Sequence, residues 1–240
     1  MISEYAIIED ASIGKNVSIG EFAIIRKGAV IGDNVIIHPY VCIEEGVVIG
    51  NNVEIFNHAF IGKAPKGPGM ARVPVFEKKV VIGDYCVFGP NTVIYYSVNI
   101  GNNCLIGDGV SIRENCCLGT DCVIGRNSTI NFGTSLGNKT RLGDLVHLTG
   151  NVEVGNNVFI GPGVVSADDN SMGRAADYDG LHDKGATIKD GASIGEACVL
   201  LPRIVIGENT VIGAGTIVRN KVADNMLVIG SQKIQKVKNS

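Results

Sequence analysis

Residues 82–165 read IGDYCV-FGPNTV-IYYSVN-IGNNCL-IGDGVS-IRENCC-LGTDCV-IGRNST-INFGTS-LGNKTR-LGDLVH-LTGNVE-VGNNVF-IGPGVV when cut into sixes. Each hexad opens on a large apolar residue, from Ile82, Phe88 and Ile94 through to Val154 and Ile160. Four places later stands a small or β-branched residue, such as Cys86, Thr92, Val98 and Val164. Two inward residues per six fit neither the helical period nor plain strand alternation. They mark an internal repeat of the kind that winds into a β-solenoid, one short strand and one corner per hexad. Three hexads then make one triangular coil.

A second rhythm runs inside the first. The residue after the lead is usually glycine, but it is Tyr95, Arg113, Asn131 and Thr149 at four places spaced by eighteen. That spacing stacks them on one face, one per coil. The hexads of this variant face, IYYSVN, IRENCC, INFGTS and LTGNVE, are rich in polar groups. Either the face packs on a neighbouring subunit, or it and its edges line a site. The two readings are compatible.

The same rule extends outward in both directions. Ile7, Ile13, Ile19 and so on to Ile61 give ten leads, all isoleucine, and Ile188 to Val218 give six more. β-Branched residues suit strands of this kind because they pack well on a pleated surface. Paired Asn and Asp at the corners (Asp33-Asn34, Asn51-Asn52, Asn102-Asn103) supply tight-turn backbone angles. Thirty hexads predict about ten coils and, at about 4.8 Å per coil, a prism about 48 Å long. The reading is therefore one β-helix over 1–240, all-β and parallel, with an extended C-terminal tail over 224–240.

Two interruptions leave the prism. Residues 62–80, with three prolines and several glycines, cannot be coil strand. This excursion is either a solvated insertion or a flap carrying Lys63, Lys66 and Arg72 to a phosphate. Residues 167–186 are polar and mixed in charge, and they begin where the next variant-face hexad would lead off.

Composition narrows the partners. With 21 basic and 24 acidic residues the chain has no electrostatic case for nucleic acid or a membrane surface. No apolar run spans a bilayer, and the N-terminus lacks a signal-peptide pattern. Seven cysteines, five of them in the small inward slot, show no paired zinc spacing. A reduced, cytoplasmic protein without a metal is expected. His38, His58 and His182 share no column with His147, so a three-histidine zinc site is not predicted.

Tandem hexads of this type, interrupted twice, resemble the hexapeptide-repeat acyltransferases over nearly the whole chain. The resemblance implies a left-handed parallel β-helix, a homotrimer and active sites in clefts between subunits. The stretches SIRENCCLGTDCVIGRNSTINF (111–132) and LVHLTGNVEVGNNVFIGPGVVSADDN (145–170) look like those of nucleotide-linked aminosugar N-acyltransferases, of the dTDP-4-amino-4,6-dideoxyglucose type. Those enzymes acylate a dTDP- or UDP-linked amino sugar from an acyl-CoA. The resemblance implies that the loop near Lys66 and Arg72 meets the nucleotide. It also implies a coenzyme A slot along the later coils near Gly133, Asn151, Gly161 and the loop from Ala167. The first block, EIFNHAFIGKAPK (54–66), is also similar to the acyl-carrier-dependent lipid A acyltransferases. Those end in a helical domain, which is not expected here.

Amide formation from a thioester needs an unprotonated amine near the carbonyl, donors for the oxyanion and an acceptor for a proton. A carboxylate that orients the amine and takes its proton suffices. By resemblance, Asp108 and Glu114 match carboxylates that hold the sugar amine, and Ser97 matches a hydroxyl that bonds the intermediate. Asn131 and His147 are the further substrate-binding candidates. Two plainer readings stand beside these. Asp108 has the Gly-Asp pattern of a simple corner residue, and Glu114 beside Arg113 has the look of a weak surface pair. Two alternatives remain for the whole chain: a sugar O-acyltransferase with His147 as general base, and a non-catalytic β-helix scaffold.

Overall fold

The computed structural model describes residues 1–67, 74–169 and 185–230. These residues wind as a parallel coil around three sheets of eleven, ten and eleven strands. The variant face runs from Ile7–Ile8 through Ser111–Ile112 to Ile217–Val218. The second face runs from Ser12–Ile13 to Val205–Ile206, and the third from Ser18–Ile19 to Leu227–Val228. The chain visits variant, second and third face in turn. About eleven turns result, one more than the hexad count predicts, and the coil is consistent with the left-handed sense.

Most strands have only two residues, one outward and one inward. The inward leads form continuous columns: Ile94, Ile112, Ile130 and Leu148 on the variant face are fully buried and stand eighteen residues apart. Each contributes roughly 1.5–3 kcal/mol of apolar burial before ordering costs. Cys86, Cys104, Cys116, Cys122 and Cys198 are buried in the small slot, where they act as small hydrophobes. Burial pushes the Cys116 thiol up to about 12.

The corners are held by side chain to backbone ladders. At the corner between second and third face, Lys15 N–H donates to Asp33 Oδ1 at 2.7 Å, Asp33 N–H to Asn51 Oδ1 at 2.8 Å, and Asn51 N–H to Asp84 Oδ1 at 2.7 Å. The next residue adopts left-handed backbone, as at Asn34 (φ 58°) and Asn52 (φ 56°), which Asn tolerates better than most residues. The glycine before each such turn is required by close approach: a Cβ on Gly83 would run into Asn102 of the next coil.

Three readings of the sequence change here. The first lead is Ile8, not Ile7: Ile8 pairs with Ile25, whereas Ile7 is 54% exposed. The opening hexad is one residue short. The excursions are narrower than 62–80 and 167–186, because strand Phe60–Lys63 runs on to Lys63, Val80 starts the next strand, and Ala186 is already buried. In the tail, Leu227–Val228 adds one more strand to the third face; residues 231–240 lie outside the described residues.

Both excursions leave from the same corner, between variant and second face, after the fourth and ninth strands of the variant sheet. Four coils lie between them. They carry Tyr95, Arg113, Asn131 and Thr149; beyond the excursions the same column continues with Arg26, Glu44, Leu201 and Arg219.

Candidate functional site

Tyr95 anchors the upper end of this segment. Lys63 Nζ lies 5.0 Å from its ring centroid and Arg113 Cζ 5.2 Å, so one aromatic ring serves two cations from the coils on either side. Arg113 in turn grips Glu114, donating from Nε to Oε2 at 2.9 Å and from Nη2 to Oε1 at 3.2 Å. The Glu114 side chain has no solvent exposure and that of Arg113 has 30%. This overturns the expectation of a weak surface pair. The turn directs Glu114 beneath the corner, where a carboxylate is stable only with its charge and lone pairs met.

Asp108 is the opposite case. It is exposed, at the corner between third and variant face, whereas Glu114 sits at the far corner of the same face. The two carboxylates thus occupy the two corners of one face, and no contact joins them among the described residues. Elsewhere in the corner ladders an acidic side chain is occupied by the N–H eighteen residues earlier, as Asp144 Oδ1 is by Arg126 N–H at 2.7 Å. For Asp108 that earlier residue is Pro90, which has no N–H to give. Among the described residues the Asp108 side chain has no hydrogen bond or ion pair, although its C=O accepts from Asn127 N–H at 2.8 Å. It occupies a corner position without the corner's bond.

Ser97 is engaged with the first excursion. Its hydroxyl donates to Glu77 C=O at 3.2 Å and accepts from Glu77 N–H at 2.7 Å, while its own N–H meets Lys79 C=O at 2.7 Å. One coil on, Asn115 Nδ2 donates to Val75 C=O at 3.0 Å. Phe76 stacks on the buried Tyr96, whose hydroxyl reaches Glu45 C=O at 3.1 Å. Residues 74–79 are thereby laid along the corner and border an open groove of about 480 Å³ with Asn99, Asn115 and Cys117. Ser97→Ala removes both hydroxyl bonds, a loss of about 1 kcal/mol in local stability. Amide exchange at Glu77 is expected to rise about fivefold; unchanged exchange would show the segment is held otherwise. Lys66 is exposed, and Arg72 lies outside the described residues.

His147 sits half-exposed on the variant face, in register with Thr129. Its Nδ1 lies 2.5 Å from Thr129 Oγ1, which fixes the ring and leaves Nε2 with no partner among the described residues. Asn131 is half-buried one place beyond the strand that carries Thr129.

Gly133 (φ 67°) and Asn151 (φ 58°) stack at the excursion corner, and a Cβ on Gly133 would strike the Asn151 amide oxygen. Gly161 lies at the opposite corner, against Glu196. The slot expected along these three residues is thus split between two corners.

Two features escaped the sequence reading. Ser166 occupies an inward lead slot and is 4% exposed. Its hydroxyl takes the Thr149 N–H at 2.8 Å and meets Thr149 Oγ1 at 2.9 Å, so this pair of strands is joined through a side chain. The register between them narrows to the single pair His147 and Val165. The break of the lead pattern at residue 166 was the available signal. The other feature is the Lys63–Tyr95–Arg113 stack, visible in sequence only as column spacing.

The comparisons agree with this architecture. The bacterial transferase hexapeptide (six repeats) model matches residues 28–63, 97–131, 133–165 and 185–220, together more than half of the chain. The hexapeptide repeat of succinyl-transferase matches residues 11–38. A curated relative, the bifunctional protein GlmU of Saccharophagus degradans, is 36% identical over 61 residues, 25% of this chain and 14% of that protein. Among solved structures, LpxA of Bacteroides fragilis, a UDP-N-acetylglucosamine acyltransferase, superposes with a TM-score of 0.61 at 23% identity, covering 83% of this chain and 66% of that one. The Arabidopsis UDP-N-acetylglucosamine acyltransferase gives 0.57 at 18% identity, covering 96% and 71%. The chain thus spans a small part of the curated relative and just under two thirds of the Bacteroides protein, and these structures share its fold. On the extent of the repeat match, the chain belongs to the bacterial transferase hexapeptide family.

Proposed function

We propose that this protein moves an acyl group from acyl-CoA to the amine of a dTDP- or UDP-linked amino-deoxysugar, as a homotrimer. The observation that carries the reading is that both excursions leave the same corner of one face, four coils apart. The coils between them present Tyr95, Arg113, Asn131 and Thr149 beside that corner. A scaffold has no need of two excursions at one corner. The family's transferase character and the nucleotide-sugar acyltransferases that share the fold support the same class of reaction.

In this reading the nucleotide lies by the first excursion, with Lys66 and Arg72 as the residues that meet it, and the sugar crosses the variant face past Asn131. Asp108 receives the amine: an exposed carboxylate, free of the corner ladder, orients it and takes its proton as the C–N bond forms and the thiolate of coenzyme A leaves. Glu114 acts through Arg113, holding the guanidinium at the edge of the face. Ser97 shapes the site by fixing the excursion. Gly161 offers backbone to the coenzyme on the corner of Asp108, where the thioester meets the amine, with Gly133 and Asn151 at the far corner of the face.

The test is thiol release from acetyl-CoA in the presence of a panel of dTDP- and UDP-amino sugars. Release that depends on one amino sugar supports the reading; none with any amino sugar, but release with a hydroxyl sugar, replaces it with O-acylation. The free Nε2 of His147 is the specific feature favouring that second reading, since an imidazole with one nitrogen held and the other open is a competent general base. His147→Ala separates the two. N-acylation predicts reduced but measurable turnover with the amino sugar, and O-acylation predicts abolition of turnover with the hydroxyl sugar.

A further inference from the structure

His147 stands in a row of outward residues that crosses the middle of the variant face. Strand by strand the row reads Val93, Ser111, Thr129, His147 and Val165, each in register with the next. Its three polar members lie on the coils between the excursions, and Thr129 and His147 are half-buried. From Asp108 the chain reaches Thr129 on its next pass over the face and His147 on the pass after that, shortly before Gly161. His147 therefore lies along the axis between Asp108 and Gly161, the level at which the thioester meets the amine in the reaction proposed above.

What His147 can do depends on which partner of its contact with Thr129 gives the proton. The separation from Thr129 Oγ1 to His147 Nδ1 is 2.5 Å. Bonds donated by a hydroxyl run about 2.5–3.0 Å and those donated by N–H about 2.7–3.2 Å, so this distance belongs to a hydroxyl donor. Thr129 Oγ1 has no other hydrogen bond among the described residues. If it accepted from Nδ1, its own proton would have no acceptor there. With the hydroxyl donating, Nδ1 is the acceptor and the one proton of the neutral ring sits on Nε2.

Acyl transfer needs an N–H or O–H at such a place. The thioester carbonyl becomes an oxyanion as the amine attacks, and a fixed donor at that oxygen gains strength in the transition state. Ser97, the hydroxyl expected to serve it, stands at the far corner of the face and is bonded to Glu77 both as donor and as acceptor. We propose, on the acyl-transfer reading above, that His147 donates from Nε2 to the oxyanion and that Thr129 is the positioning residue that holds it in that tautomer. As the C–N bond forms, the carbonyl electron pair moves onto oxygen, where Nε2–H meets it. The pair returns as the C–S bond breaks and the thiolate leaves. The amine proton goes to Asp108, and His147 neither gains nor loses one. The reverse arrangement, Nδ1–H donating to Thr129, puts a lone pair on Nε2 and makes His147 the base of O-acylation.

The experiment compares wild type with Thr129→Val, Thr129→Ser, His147→Gln and His147→Ala, each shown to be folded by its melting curve. Nitrogen NMR of the full chain labelled at histidine, recorded with the rings neutral, reads the tautomer; the His147 signal is the one missing in His147→Gln. Wild type and Thr129→Ser should carry the proton on Nε2 with Nδ1 hydrogen-bonded. Thr129→Val keeps the shape without the hydroxyl and should lose that bond. Sugar-dependent thiol release reads the chemistry. His147→Ala should lower kcat by about 10²-fold, the loss of one oxyanion donor. His147→Gln retains an N–H and should lose less. Thr129→Val should lower kcat about tenfold with KM unchanged, and Thr129→Ser should restore it. A proton on Nδ1, or a Thr129→Val enzyme with wild-type kcat, overturns the inference and leaves sugar-dependent release, and with it the acyl-transfer reading, standing. No release with any amino sugar sinks that reading and the donor role with it, while the tautomer still reports whether Thr129 holds the ring.

Discussion

Glu114→Ala is expected to lower the unfolding free energy by about 3 kcal/mol, the lower end of what breaking a buried ion pair costs when the partner is partly solvated. The reason is asymmetry. The mutation removes a fully buried carboxylate and leaves Arg113 with its guanidinium at the corner, its two short bonds gone. Arg113 also stacks on Tyr95, so the column from Lys63 downward loosens with it. Urea denaturation followed by circular dichroism measures the shift. The double variant Arg113→Met, Glu114→Leu removes both charges and should recover most of the loss, because an apolar pair leaves no uncompensated charge behind. If Glu114→Ala shifts stability by less than about 1 kcal/mol, in the range of exposed pairs, the pair does not hold this corner and the positioning role assigned to Glu114 fails.

Asp108→Asn should do the reverse, sparing the fold and reducing catalysis. Asp108 is exposed and its side chain makes no bond among the described residues, so its substitution should stay within about 0.5 kcal/mol of wild-type stability. Under the proposed reaction it is the proton acceptor, and losing that function is expected to lower kcat/KM for the amino sugar by about 10²–10⁴-fold. Asn keeps the shape and can still accept a hydrogen bond from the amine, so the loss should fall mainly on kcat and less on KM. The thiol-release assay reads both. An Asp108→Asn enzyme with wild-type kcat would remove Asp108 from the chemistry and return it to the ranks of ordinary corner residues. A useful companion is Pro90→Ala, which restores the missing N–H. A ladder bond to Asp108 should then form, and activity should fall although no catalytic side chain has been touched.

The prism was legible because its signal is redundant. A lead such as Ile112 repeats the statement made by Ile94 and Ile130, and eighteen-residue spacing then places every outward residue on a face. That logic correctly put Tyr95, Arg113, Asn131 and Thr149 in one column and placed the second excursion at the end of that face. It failed where a single residue departs from the period. The short first hexad put Ile7 where Ile8 belongs, and Ser166 in a lead slot was passed over. It failed again where a turn decides direction. Periodicity gives Glu114 a corner position, but whether the side chain turns outward or under the corner depends on the backbone of the turn and on the pull of Arg113. The standing of Asp108 was readable in principle, since Pro90 is eighteen residues earlier, but only once the ladder that proline interrupts is known. The engagement of Ser97 with Glu77 belongs to an excursion that has no period at all.

The coil makes contact only with the turns before and after it, so the molecule behaves energetically as a one-dimensional array whose cohesion is a sum of nearest-neighbour terms. Zipping can begin on any turn and spread in both directions, and an excursion alters only one step of that spread. Paired residues are normally eighteen apart; across the first excursion Val47 pairs with Val80, and across the second Glu153 pairs with Thr187. Nearly doubling the closed loop costs only about 0.6 kcal/mol each time. That is less than the burial of a single isoleucine lead. An array with this arithmetic can take on a functional insertion at a corner without renegotiating the rest of the stack, which is why a uniform prism can carry a local and irregular site.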